Sequence, residues 1–138
     1  MYKVCKRSVS LILVLFAFIA VAAITSCQKQ SAEVTDPKEL RGGETRQTLA
    51  PENFTGQIAD AYRIAREIPE ILDSLHCYCE CKKHFGHKSL LTCYVDEHAK
   101  HCDICMDEAF IAYEMHRQGK DVLAIRKAVD ARYANMRH

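Results

Sequence analysis

The stretch LHCYCECKKHFGHKSLLTCYVDEHAKHCDICMD, residues 75–107, decides what this chain can fold around. It contains six cysteines, namely Cys77, Cys79, Cys81, Cys93, Cys102 and Cys105. It also contains five histidines, namely His76, His84, His87, His98 and His101. The other two cysteines, Cys5 and Cys27, lie near the start of the chain. So many soft ligand side chains in one short stretch indicate covalent cross-links or a metal site.

The first three cysteines of this stretch alternate with other residues. In an extended segment, Cys77, Cys79 and Cys81 would all point to one face. In a helix, Cys77 and Cys81 would share a side and Cys79 would point away. A three-thiolate site is therefore expected of an extended or turned segment. Cysteines two positions apart close a cramped ring, so we expect them to pair poorly with each other as disulfides.

The segments around the cysteines show helical periodicity. Apolar residues recur at helical spacing in 57–68, and Pro69 suits the first turn of a second short helix. Residues 103–117 are apolar nearly all round, which predicts a helix at the centre of the fold. Residues 121–133 have an N-cap and core spacing typical of a last helix. The predicted fold is all-α, a small Cys-rich domain of three to five short helices.

The start of the chain is typical of an export signal. Residues 1–26 combine a positively charged beginning with a nearly uninterrupted apolar run, too short to favour a spanning helix. The run ends at Cys27 in a sequence that resembles a bacterial lipobox, which predicts lipidation of Cys27. Residues 27–56 are polar and contain proline and a glycine pair, which predicts a flexible tether. Residues 57–138 are then an extracytoplasmic Cys-rich domain, anchored to a bacterial cell membrane.

Charge and motifs exclude several functions. The chain has 19 Lys and Arg against 18 Asp and Glu, a formal charge of +1, without a basic stripe. A nucleic acid is therefore not an expected partner. No nucleophilic triad or glycine-rich phosphate loop is present, so no catalytic residue is assigned, and binding is favoured over catalysis. Met106 directly follows the Cys102–Cys105 pair, at the position where c-type haem attachment requires histidine, so a c-type haem is not expected.

The six cysteines allow two kinds of interpretation. Export favours three structural disulfides, for which fifteen pairings exist, and the spacing does not choose among them. Zinc takes four ligands, commonly from paired CxxC knuckles, and only Cys102 and Cys105 fit that habit. Closely spaced thiolates able to bridge are what Cu(I) prefers, so copper is the favoured metal, with zinc or no metal as alternatives. Of the histidines, His101 and His84 are candidate additional ligands, His101 being the one we favour.

The sequence His76-Cys77-Tyr78-Cys79-Glu80-Cys81, followed by Cys93 and by Cys102-Asp103-Ile104-Cys105, resembles the bacterial PCYCGC-motif lipoproteins. The resemblance covers roughly residues 68–133. It implies an exported, lipid-anchored, helical protein without a well-established activity, whose residues suggest heavy-metal binding. Two residues depart from the motif, His76 in place of proline and Glu80 in place of glycine.

A second resemblance, over residues 102–134, is to the thiol-redox subunit of cytochrome c maturation. It rests on the Cys102-x-x-Cys105 pair, a following helix, and the segments Gly119-Lys120-Asp121 and Arg132-Tyr133. It implies a dithiol oxidoreductase role but leaves the other four cysteines unexplained.

These observations lead to one hypothesis and two alternatives. The hypothesis is a lipoprotein that binds a soft metal, most simply Cu(I), for storage, delivery or sequestration. Its partners would be the membrane, through Cys27, and a metal-donor or metal-acceptor protein. The alternatives are a thiol–disulfide redox protein that uses Cys102 and Cys105, and a disulfide-stapled module that binds a partner protein.

Overall fold

The computed structural model of the protein describes residues 34–134, which form helices and no strands. The predicted all-α fold is therefore confirmed for this range. The α-helices are α1 Gly56–Glu67, α2 Pro69–Asp73, α3 Cys81–Phe85, α4 Asp103–Arg117 and α5 Val122–Arg132. Short 3₁₀ helices lie at Pro37–Leu40, Pro51–Asn53, Leu90–Tyr94 and His98–His101.

The predicted signal peptide, residues 1–26, and the predicted lipidation site Cys27 lie outside the described residues. Within residues 34–134, no helix is both long enough and apolar enough to cross a membrane.

Helix α4 lies at the centre of the fold, as its apolar pattern predicts. It packs against both α1 and α5. An aromatic group joins α1 to the cysteine-rich stretch, because the Tyr62 ring meets Tyr94 edge to face with centroids 5.1 Å apart. The buried Tyr94 hydroxyl donates a hydrogen bond to the Cys105 carbonyl oxygen at 2.7 Å. The apolar core is thus continuous with the walls of the cysteine cluster.

The second half of the predicted tether packs against the helices. The Gly42 N–H donates to the Asp73 carbonyl at 2.8 Å, and the Leu49 N–H donates to the Tyr94 carbonyl at 2.9 Å. Phe54 stacks on Tyr62 with ring centroids 4.1 Å apart. From about residue 41 the polar segment is therefore part of the folded domain. The few apolar residues of this segment recur at neither helical nor strand spacing, so its composition alone predicted a flexible chain.

Asp73 is the residue that holds this segment in place. Its buried carboxylate accepts hydrogen bonds from Arg41 Nε at 2.8 Å, the Gly43 and Glu44 N–H groups at 3.1 and 3.0 Å, and Ser89 Oγ at 2.7 Å. Burial by itself would raise the pKa of Asp73, but these donors and the Arg41 charge lower the pKa below its ordinary value. One carboxylate thus joins the end of α2, the segment before α1 and the loop before Cys93.

Glu44 makes the stability of the fold dependent on pH. Its buried carboxylate accepts from Arg46 at 2.7 Å and from Thr92 Oγ1 at 3.0 Å, and the Arg46 hydrogen bond lowers the pKa of Glu44 to about 2. Because the folded pKa lies below the unfolded value, this contribution is complete above about pH 4.5 and disappears as the pH falls toward 2. We expect Glu44→Gln to lower the free energy of unfolding at pH 7 by on the order of 2 kcal/mol.

The measurement is urea unfolding of wild type and variant at pH 7, 4 and 3. The difference between their free energies of unfolding should shrink as the pH falls. Glu52→Gln is the matched control, since the Glu52 side chain is 73% exposed and its carboxylate lies 3.7 Å from Arg66. A gap for Glu44→Gln that is equally large at pH 7 and pH 3 would contradict the prediction.

Candidate metal centre

A turn, not an extended segment, brings the first three cysteines together. After α2, residues 76–80 form a turn, and Cys81 begins α3. Glu80 has φ 60° and ψ 19°, the left-handed conformation, and is the one non-glycine residue with positive φ among residues 34–134. This conformation costs a side-chain-bearing residue roughly 1–2 kcal/mol. The turn places Cys77 Sγ 3.1 Å from Cys79 Sγ.

The other three cysteines reach this turn from two further segments. Cys93 lies in the 3₁₀ helix Leu90–Tyr94, and Cys102 and Cys105 lie at the start of α4. The Cys77 sulfur is 3.4 Å from that of Cys93 and 3.7 Å from that of Cys105. Sulfurs bound to one tetrahedral zinc lie roughly 3.8 Å apart, as a metal–sulfur distance of about 2.3 Å requires. The cluster is therefore already close to the spacing of ligands on a metal.

The donor atoms form two overlapping groups, in each of which all atoms lie within 4.8 Å of one another. The inner group comprises Cys77, Cys79, Cys81, Cys93 and Cys105. The outer group comprises Cys79, His98, Cys102 and Cys105. All six cysteines of the sequence prediction are thus brought together, and the cluster could hold a metal ion.

The histidine near the sulfurs is not the one favoured from the sequence. His98 Nε2 lies 2.8 Å from Cys81 Sγ and 3.9 Å from Cys79 Sγ. His101, the histidine favoured from the sequence, is exposed and belongs to neither donor group. His84 is also exposed and lies 3.6 Å from the Glu80 carboxylate. No local sequence signal separates His98 from the others, because its position depends on contacts with α3.

His87 supports the cluster from the other side. Its ring is largely buried, and Nδ1 lies 3.2 Å from Cys93 Sγ, within hydrogen-bonding reach. Burial lowers the pKa of His87, as does the neighbouring His98. A neutral ring with Nδ1 protonated would donate to the Cys93 sulfur and hold it in place, as partners of metal ligands commonly do.

The structure joins Cys79 and Cys81 as a disulfide, although cysteines two apart were expected to pair poorly. The left-handed turn at Glu80 sets their Cα atoms 5.6 Å apart, within the usual disulfide range of roughly 4.4–6.8 Å. The remaining cysteines of residues 34–134 are free thiols. A single disulfide does not favour the alternative of a module held together by three disulfides. The sulfurs of Cys79 and Cys81 must be reduced before they can act as thiolate ligands.

The free thiols do not share one protonation state. Hydrogen bonds from Cys105 and Cys93 lower the pKa of Cys77, whereas those that Cys105 makes with Cys102, Cys77 and Cys93 raise its own pKa. Negative charge on one buried sulfur therefore keeps a proton on its neighbour. A soft cation would replace such protons, because metal ligation requires the thiolate form.

Glu108 is a buried carboxyl beside this cluster that the sequence did not single out. Burial raises its pKa to about 9, and the charge on Cys77 acts in the same direction. The side chain is therefore the neutral acid at pH 7. Its Oε1 accepts the Tyr78 N–H at 3.0 Å, and its Oε2 has no hydrogen-bond partner among the described residues. Glu108 thus holds the turn between Cys77 and Cys79 without adding charge to the cluster.

Comparison with known proteins places the sequence in a family. Residues 12–136 match the family described as "Protein of unknown function with PCYCGC motif", and neither curated proteins nor solved structures gave a match. The motif aligns with residues 76–81 and puts glycine at Glu80, the position with φ 60°. Glycine adopts that conformation without strain, so the glycine of the motif suits this turn. This chain belongs to the PCYCGC-motif family, whose function is unknown.

Proposed function

We propose that this protein is a membrane-anchored, extracytoplasmic lipoprotein that binds Cu(I) through clustered thiolates, for storage, delivery or sequestration. The observation that carries the proposal is the convergence of six cysteine sulfurs from three separate segments into the two overlapping donor groups. Ordinary cores contain no such concentration of soft ligands. Packing needs alone would be met by alanine or valine at these positions.

The donor set favours Cu(I) over zinc. A structural zinc site is complete with four ligands, whereas six sulfurs and the His98 nitrogen stand together here. Cu(I) is the softer ion, and thiolates able to bridge suit it. The CxCxC turn also differs from the paired CxxC knuckles of zinc sites. A tight turn of three sulfurs is better suited to a small cluster than to one tetrahedral ion.

The location of the protein is part of the proposal. An export signal in residues 1–26 and a lipid on Cys27 would hold the domain at a membrane face. The folded domain begins near residue 41, so residues 28–40 are the linker available between lipid and domain. A short linker would keep the cluster near membrane proteins that donate or accept copper.

The direct test is to purify the full chain in detergent, without oxygen and without added reductant. Free thiols and bound metals are then counted on the same sample. We expect copper with few reactive thiols, and recovery of the thiols when a Cu(I) chelator removes the metal. If thiol reductant is needed first, the Cys79–Cys81 disulfide must open before binding. Failure to bind copper even after full reduction would disprove the proposal.

A second candidate function, thiol–disulfide exchange, is favoured by Cys102. This residue is the N-cap of α4, is partly exposed, and has its pKa lowered to about 6 by hydrogen bonds from the Cys105 thiol and from backbone N–H groups. A partly exposed thiolate at a helix N-terminus is a competent nucleophile. Cys102 would attack a partner disulfide, and Cys105 would then displace the reduced partner. A reduction potential near those of known dithiol reductants, without copper binding, would favour this function.

A further inference from the structure

We infer that the cluster holds two Cu(I) ions, one in the inner and one in the outer group, with the thiolates of Cys79 and Cys105 bridging them. We further infer that the outer ion, ligated also by His98 and Cys102, is the one that exchanges with other molecules. This inference rests on the proposed copper-binding function and adds its stoichiometry and route of exchange.

The first argument is the number of donors. The two groups together offer six sulfurs and one imidazole nitrogen, more than one soft ion can bind. Cys79 and Cys105 are the only members of both groups among the described residues, and their sulfurs are 3.4 Å apart. Once the Cys79–Cys81 disulfide is reduced and the sulfurs of Cys79 and Cys105 bridge, the inner ion has five candidate sulfur ligands and the outer ion has four candidate donors. The shared pair thus defines the bridge.

The second argument is charge. If all six cysteines ligate as thiolates, one Cu(I) leaves five negative charges without compensation in a largely buried cluster, and a second ion removes one of them. Buried charge without a partner is strongly unfavourable. His98 contributes to the outer position as a neutral ligand and adds no negative charge. The ligand set is therefore better balanced with two ions than with one.

The third argument is exposure. Cys77, Cys81 and Cys93, which belong to the inner group alone, are at most 2% exposed. His98 and Cys102, which belong to the outer group alone, are each only partly buried. Phe85 lies against the His98 ring with centroids 5.1 Å apart and is 66% exposed. The outer position is therefore the one that a chelator or a protein partner can approach.

The experiment is anaerobic Cu(I) titration of the reduced full chain in detergent, in competition with a colorimetric Cu(I) chelator. Wild type should bind about two ions per chain, and X-ray absorption should detect a short copper–copper path. The double variant His98→Ala, Cys102→Ser should bind about one ion and lose that path. His101→Ala is the matched control, because His101 lies on the same 3₁₀ helix but outside both groups, and it should behave as wild type.

The outcomes separate this inference from the function on which it rests. Circular dichroism first establishes that each variant is folded. A wild type that binds one ion, or a double variant that keeps two, would overturn the two-ion inference and leave copper binding intact. Loss of both ions from a folded double variant would overturn the separate outer position. A reduced wild type that binds no copper would overturn the proposed function itself.

Discussion

Cys105→Ser should abolish most Cu(I) binding, whereas serine in place of a cysteine that belongs to only one donor group should remove only part of it. Cys105 is fully buried, belongs to both donor groups, and lies within 3.7 Å of the Cys77 and Cys79 sulfurs. A serine hydroxyl is a hard and weakly acidic ligand that Cu(I) does not favour. We expect affinity for copper to fall by more than roughly 100-fold, the upper end of what loss of a supporting partner alone produces. Competition with a Cu(I) chelator measures it.

Cys102→Ser is the matched control for this experiment. It makes the same chemical change three positions away, but Cys102 belongs to the outer group alone. It should therefore leave the inner ion bound. Cys79→Ser, which also removes a shared sulfur, should resemble Cys105→Ser and sharply lower the copper stoichiometry. Unchanged binding in folded Cys79→Ser and Cys105→Ser proteins would be incompatible with thiolate ligation by this cluster.

Asp73→Asn should cause a large loss of stability without changing the cysteine cluster. The Asp73 carboxylate is fully buried and accepts hydrogen bonds from four donors, one of them the charged Arg41. Asparagine has nearly the same shape but replaces one acceptor with a donor that faces other donors. Loss of hydrogen bonds to a charged acceptor and a buried donor left unsatisfied should together cost about 2–3 kcal/mol, since the Arg41 side chain is 37% exposed and its charge is screened by water. Urea unfolding of the reduced, metal-free protein would measure it.

Ser89→Ala tests whether the effect belongs to the carboxylate as a whole. It removes a single hydrogen bond to Asp73 and should cost only about 1 kcal/mol. Hydrogen exchange adds a local readout, since the Gly43 and Glu44 amides donate directly to Asp73 and should lose protection in Asp73→Asn. Equal stability of Asp73→Asn and wild type would mean that residues 41–44 are not held by this carboxylate.

The helices are the part of this protein that local sequence determines. The predicted helices over residues 57–68, after Pro69, at 103–117 and at 121–133 correspond to α1, α2, α4 and α5. Helical periodicity is readable because each residue interacts with neighbours one turn away, and those neighbours are in the same stretch of sequence. The six candidate cysteine ligands could also be predicted from local sequence, because so many cysteines in one short stretch are unusual.

Contacts between distant segments could not be read in this way. The choice of His98 over His101, the ordering of residues from about 41 to 54, and the burial of Asp73 and Glu108 each depend on several helices meeting. The turn at Glu80 was also not predicted, because a glutamate in the sequence gives no indication of a positive φ. The sequence by itself determined the helices and the ligand types. Tertiary structure decided which donors meet, because their distances depend on packing between segments many residues apart.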